Sequence, residues 1–127
     1  MSGVLVDTSV WLDHFRNPNQ ALKVLLDQDL VLTHPLVIGE IACGTPPAPR
    51  QQTLRALGLL STARQASLSE TMKFIERETL YGMGCGIVDM VLLASTLITP
   101  GAQLWTYDKR LAALAGRCNV AHQAVKH

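Results

Sequence analysis

The chain has 127 residues, 48% of them apolar and 17% charged, with a formal net charge of +1. That composition excludes a disordered tail or fibrous repeat and fits a single domain spanning 1–127, which buries roughly two thirds of the surface of its unfolded form. Near-neutrality neither advertises nucleic-acid binding nor excludes it, because local patches act where totals do not.

No basic segment followed by an apolar run opens the chain, so no signal peptide is expected. The first element is the apolar run Val4–Val6, a short strand that stops at Asp7. Thr8 and Ser9 are good helix caps, and Val10–Phe15 is apolar at helical spacing. Asn17-Pro18-Asn19 is a break, followed by a helix to Gln28. Leu30–Thr33 reads as a strand. His34-Pro35 then opens a helix over Leu36–Cys43 that ends at Gly44. After the proline loop 46–49, Arg50–Leu60 is helical, and Ala63–Ala66 is a turn or short strand.

A helix follows from Ser69 to Leu80. Tyr81–Gly86 alternates with glycines but follows no strand, so it is read as a tight turn near the core rather than a dinucleotide site. Ile87–Ile98 is apolar on nearly all sides and hence a central helix, not a membrane span, since the apolar region 83–100 is short and carries Asp89. Gln103–Tyr107 is a strand, Asp108–Ala115 a helix, and Asn119–Ala121 a last edge strand. His122 and His127 fall in a mobile tail. Strands alternating with helices through short connections give an α/β fold, a mostly parallel sheet with helices on both sides.

Cys43, Cys85 and Cys118 are odd in number and far apart. They are expected as buried thiols in a reduced, cytoplasmic setting, with no zinc-ligand spacing.

Four acids stand out because their neighbours are apolar. Asp7 and Asp108 end strands, Glu40 is the only charge between Asp29 and Arg50, and Asp89 the only one between Glu78 and Asp108. An isolated carboxylate in an apolar segment must be protonated, paired or metal-bound. In a parallel sheet Asp7 and Asp108 share one edge, and the helix starts carrying Glu40 and Asp89 can approach it. Four carboxylates without histidine or cysteine suit Mg²⁺ or Mn²⁺, which activate water and offset charge on a transferring phosphoryl group. Thr8, Ser9 and Thr106 are candidates to orient a water there. Asp13, Asp27, Asp29, Glu70, Glu76 and Glu78 lie among polar residues and read as solvated faces.

The segments Leu5–Trp11, Ile38–Gly44, Leu80–Asp89, Leu92–Ser95 and Leu104–Leu111 together resemble PIN-domain proteins, most of all VapC-type toxins of type II toxin–antitoxin pairs. The resemblance covers the chain in order. It implies a Mg²⁺- or Mn²⁺-dependent endoribonuclease with Asp7, Glu40, Asp89 and Asp108 as its acidic quartet. Asp7, Asp89 and Asp108 would bind the metal, and Glu40 would orient the attacking water or help hold a second ion. It further implies cleavage of structured RNA, tRNA or rRNA, leaving a 5′-phosphate and a 3′-hydroxyl. The implied partners are a VapB-type antitoxin lying across the site and a second copy in a homodimer, with toxin–antitoxin hetero-oligomers built from these and no membrane. Lys109 and Arg110 become candidate phosphate contacts, and Trp11 and Phe15, one helical turn apart, candidate antitoxin contacts. Tyr107 departs from the family, where Arg is common.

Three rivals remain. A haloacid-dehalogenase-type phosphatase needs a second acid two residues after the first, where this chain has Ser9. A noncatalytic module would show no metal dependence. A DNA-directed nuclease of the same fold would share the site and differ in substrate.

Overall fold

The computed structural model describes residues 3–123. Four strands, β1 (Val4–Val6), β2 (Val31–Thr33), β3 (Ser61–Thr62) and β4 (Gln103–Trp105), form one sheet in the order β3-β2-β1-β4. Every pairing is parallel: Leu5 faces Leu32 on one side and Leu104 on the other, and Leu32 faces Ser61. Val4, Leu5 and Val6 are all buried. Successive strand residues point to opposite faces, so an unbroken buried run means both faces of the sheet are covered.

The covering elements are α1 (Thr8–Arg16), α2 (Gln20–Asp27), α3 (Pro35–Cys43), α4 (Arg50–Gly58), α5 (Leu68–Arg77), α6 (Ile87–Ile98) and α7 (Lys109–Arg117). The central helix expected over 87–98 is α6, with Met90 to Thr96 buried without a break. The core joins Leu5, Val10, Leu22, Ile41, Leu92, Leu93, Leu104 and Leu111, each with almost no exposed surface.

The chain runs outward from β1 through β2 to β3, then crosses back to β4 on the other side of β1. The reversal point therefore lies between β1 and β4, and the crevice at the carboxyl ends of these strands is where such sheets bind ligands.

Several boundaries differ from expectation for identifiable reasons. Ser67, not Ser69, caps α5, through a box in which its hydroxyl accepts the Glu70 N–H and the Glu70 carboxylate accepts the Ser67 N–H. α5 ends at Arg77, and Leu80 is buried in the connection beyond it. β3 lies at 61–62 rather than 63–66 and both its residues are exposed, an outer edge that burial patterning does not mark. Asn119–Ala121 contributes one parallel bridge, Ala121 to Leu104, instead of a strand. His122 does not hang in a tail: its ring sits 5.3 Å from that of Trp105 and its N–H donates to Leu104. His127 lies outside the described residues. Cys43 is exposed and the other two cysteines are only half-buried, so the expected buried thiols are not found; all three are free. Among the described residues no helix is long and apolar enough to cross a membrane.

Candidate active site

The β1–β4 crevice is built outward from Asp7. Its N–H donates to the Trp105 carbonyl at 2.9 Å, which pins the ends of the two strands together. Asp7 occupies the cap position of α1, but its carboxylate bonds no helix N–H. Oδ2 instead accepts the Ser9 hydroxyl at 2.8 Å and the Thr106 hydroxyl at 2.7 Å. Those hydroxyls accept in turn, Ser9 from the Tyr107 N–H and Thr106 from the Asp108 N–H, both at 3.0 Å. Asp7 is only 6% exposed, and among the described residues its Oδ1 takes no hydrogen bond. A buried carboxylate is thus held by one oxygen and left open at the other.

Asp108 caps α7: its Oδ1 accepts the N–H groups of Arg110 at 2.9 Å and Leu111 at 3.0 Å. Glu40, exposed in the second half of α3, accepts the Thr8 hydroxyl on Oε1 at 2.7 Å. Asp89 is half-buried in the first turn of α6. Its carboxyl is pushed up from an ordinary value near 3.8 to about 6, first by burial and then by the charges of Asp7, Asp108 and Glu40; a hydrogen bond from the Gly86 backbone works the other way. All four acids from the sequence therefore act on one locality.

The hydroxyls behave differently from expectation. Thr8 and Ser9 do not cap α1; their hydroxyls and that of Thr106 each donate to a carboxylate. They position the acids. The glycine-rich loop also has a different cause: Gly82 and Gly84 have φ of 72° and 84°. A Cβ on Gly84 would lie 2.8 Å from Cδ of Arg110, so it is an arginine side chain, not the core, that comes close. Arg110 is thereby laid along the loop. Neither it nor Lys109 forms an ion pair, the one ion pair among the described residues being Arg77–Glu78. Trp11 is 3% exposed and belongs to the core, which corrects the expectation that it presents surface to a partner; Phe15, packed 6.0 Å from it, is the half-exposed member of the pair. The six acids read as solvated faces are all exposed.

Among the described residues no three His, Cys, Asp or Glu side chains are close enough to make a ready-made metal cage. That disfavours a closed zinc-type centre and is compatible with Mg²⁺, which is usually held by one or two carboxylates and keeps several waters. The donor chemistry fits: all-oxygen ligands, open oxygens on Asp7 and Asp108, and a third acid in Asp89 whose unfavourable charge a cation would relieve.

An all-parallel α/β domain with an acidic edge at its reversal point is the architecture of a PIN domain, and the chain belongs to that family: the PIN-domain model matches residues 4–117. Within the family its likeness is to the VapC type. It is 41% identical over 118 residues to ribonuclease VapC32 of Mycobacterium tuberculosis, from strain CDC 1551 / Oshkosh and equally from strain ATCC 25618 / H37Rv, covering 93% of this chain and 94% of each relative.

Proposed function

We propose that this chain is an endoribonuclease dependent on Mg²⁺ or Mn²⁺, acting as the toxin of a cytoplasmic toxin–antitoxin pair. Its substrate is structured RNA, tRNA or rRNA, and a VapB-type antitoxin neutralises it; homodimers and toxin–antitoxin hetero-oligomers are the assemblies. The observation that carries this reading is the buried Asp7 carboxylate, held through one oxygen and open at the other, linked to Asp108 through the Thr106 hydroxyl, with the Asp89 carboxyl raised by burial and by the charges of Asp7, Asp108 and Glu40. Such an arrangement costs stability and makes sense as a cation site. The likeness to a ribonuclease over almost the whole chain supports the choice of substrate.

Asp7, Asp89 and Asp108 would hold the cation, which when bound supplies a Lewis acid for the phosphoryl oxygens and acidifies water. Asp7 is held in place by the Ser9 and Thr106 hydroxyls. Glu40, steadied by Thr8, orients the attacking water as its oxygen bonds to phosphorus. The water's proton passes to solvent, the bond from phosphorus to the 3′-oxygen breaks, and that oxygen takes a proton from solvent and leaves as a hydroxyl.

The test is incubation of the purified, partner-free chain with total RNA, with Mg²⁺, with Mn²⁺ and with chelator, beside Asp7→Asn. Discrete fragments that need the cation and vanish in the variant are expected. A folded chain that cuts nothing under either metal, or an Asp7→Asn variant of full activity, overturns the reading.

A further inference from the structure

Tyr107 lies between Thr106 and Asp108, yet it is not one of the acids or their holders. Its backbone N–H donates to Ser9 Oγ at 3.0 Å, one hydrogen bond away from Asp7. Its ring rests edge-on against Trp105, with centroids 6.2 Å apart and planes at 87°. The side chain remains 47% exposed. At its far end the hydroxyl meets Asn19 Nδ2 at 2.9 Å.

The direction of that last bond follows from the other end of the amide. Asn19 caps α2, its Oδ1 accepting the Leu22 N–H at 3.0 Å. An amide has one oxygen, so the group turned to Tyr107 is the NH₂, which can only donate. The tyrosine oxygen is therefore the acceptor, and its own proton is uncommitted; among the described residues it donates to nothing. Accepting a hydrogen bond polarises the O–H and strengthens it as a donor. The result is a neutral, exposed donor held at backbone, ring and hydroxyl, on a residue that precedes Asp108 and whose backbone N–H is bonded to Ser9 Oγ, one hydrogen bond from Asp7.

We infer that Tyr107 is an RNA-phosphate contact: its hydroxyl donates to a non-bridging oxygen of a phosphate beside the scissile one. This rests on the endoribonuclease reading above. It fixes where the strand lies without adding charge, so it contributes to affinity but not to the salt dependence of binding.

The test measures binding of bulk tRNA to the chain in an Asp7→Asn background, which holds RNA without cutting it, from about 50 to about 200 mM salt. Tyr107→Phe, which keeps the ring and removes the donor, is expected to raise Kd about three- to tenfold, the worth of one hydrogen bond, with the salt slope unchanged. Asn19→Ser keeps the α2 cap and removes only the amide that faces Tyr107; it should weaken binding by less than half as much as Tyr107→Phe. A parental Kd in Tyr107→Phe overturns the inference, and if Tyr107→Leu alone is weak, the ring stacks on a base instead. Equal losses in Asn19→Ser and Tyr107→Phe make the pair a strut between loops and also overturn it. Should the Asp7→Asn parent bind neither tRNA nor, in the same assay, rRNA at any salt, it is the RNA reading itself that fails, distinguishable from a bound parent that ignores Tyr107.

Discussion

Thr106 does two jobs with one oxygen: it donates to Asp7 Oδ2 and accepts the Asp108 N–H, so it couples two acids that come from different elements. Thr106→Val keeps the shape and removes both bonds. A residue that orients a ligand-bearing side chain is worth about 10- to 100-fold in metal affinity or activity, and that is the loss expected in cleavage rate, with Thr106→Ser near wild type. Equal activity of the valine and serine variants would count against the positioning role. Asp89 makes the second prediction. Its carboxyl titrates near 6 in the folded chain against an ordinary 3.8, so the folded state binds the extra proton between those values. Its effect on stability is therefore most favourable at low pH and worsens as pH rises through 6. Asp89→Asn should raise the melting temperature in chelator at pH near 7.5, and the gain should shrink by pH near 4.5. Mg²⁺ should raise the wild-type melting temperature at the higher pH and leave Asp89→Asn nearly unmoved; thermal melts at both pH values, with and without the ion, check both halves. Glu40 and Asp89 were legible in the sequence because each is the only charge in a long apolar stretch, and Asp7 and Asp108 because each directly follows a run that reads as a strand. The partners of Thr8, Ser9 and Thr106 were not, since a hydroxyl beside a strand end has the same local sequence whether it caps a helix, holds water or grips a carboxylate 99 positions away.

Helices and loops show the same division between local and distant causes. The Ser67–Glu70 pair is a capping box readable at sequence level, but Ser69 two residues on obscured the start of α5. Ser67→Ala should cost about 1 kcal/mol of unfolding free energy. Glycines offer a sharper contrast. Gly84 needs φ of 84° and sits under Arg110, whereas Gly39 lies within α3, where an added methyl would meet no atom within 4 Å. Gly84→Ala should therefore destabilise by about 1–2 kcal/mol and dislodge Arg110, and Gly39→Ala should stabilise by about 0.5–1 kcal/mol. Denaturant midpoints of the two variants should move in opposite directions; movement in the same direction refutes the account of the loop. The alternation of glycines at 82, 84 and 86 marked a turn, but nothing near them in sequence named Arg110 as the neighbour.

At the level of the whole molecule, strand order was inferable only in part. Buried β-branched runs and short connections announce a parallel sheet, and β1 shows by its unbroken burial that it lies inside; the exposed two-residue edge β3 carries no such mark. What ties the layers together is a buried polar link absent from any local pattern. His34, 3% exposed, accepts the Leu36 N–H on Nδ1, which leaves Nε2 as the N–H that meets Ser95 Oγ at 3.2 Å; Ser95 also accepts the Ala66 N–H. The exit of β2, the approach to α5 and the middle of α6 converge on this one imidazole. Burial lowers its pKa, and a second proton would have to enter at Nδ1 against an N–H. A histidine kept neutral in the fold but free to protonate when unfolded contributes fully above pH about 6.5, and that contribution is lost as pH falls below it. His14 and His122 are lowered by burial too, so the histidines oppose Asp89: acid relieves the carboxylate cluster while it strains the core. His34→Asn separates the two effects, since asparagine can still cap α3 but does not titrate. It should cost about 1–2 kcal/mol at pH near 7.5 through loss of the Ser95 bond, and the cost should narrow by pH near 5 as the wild type gives up its own advantage. Denaturant unfolding of both chains at the two pH values measures this difference directly. A gap that stays constant or widens on acidification would mean that His34 takes up its proton in the folded state, and that the link from β2 to α6 is held by packing alone.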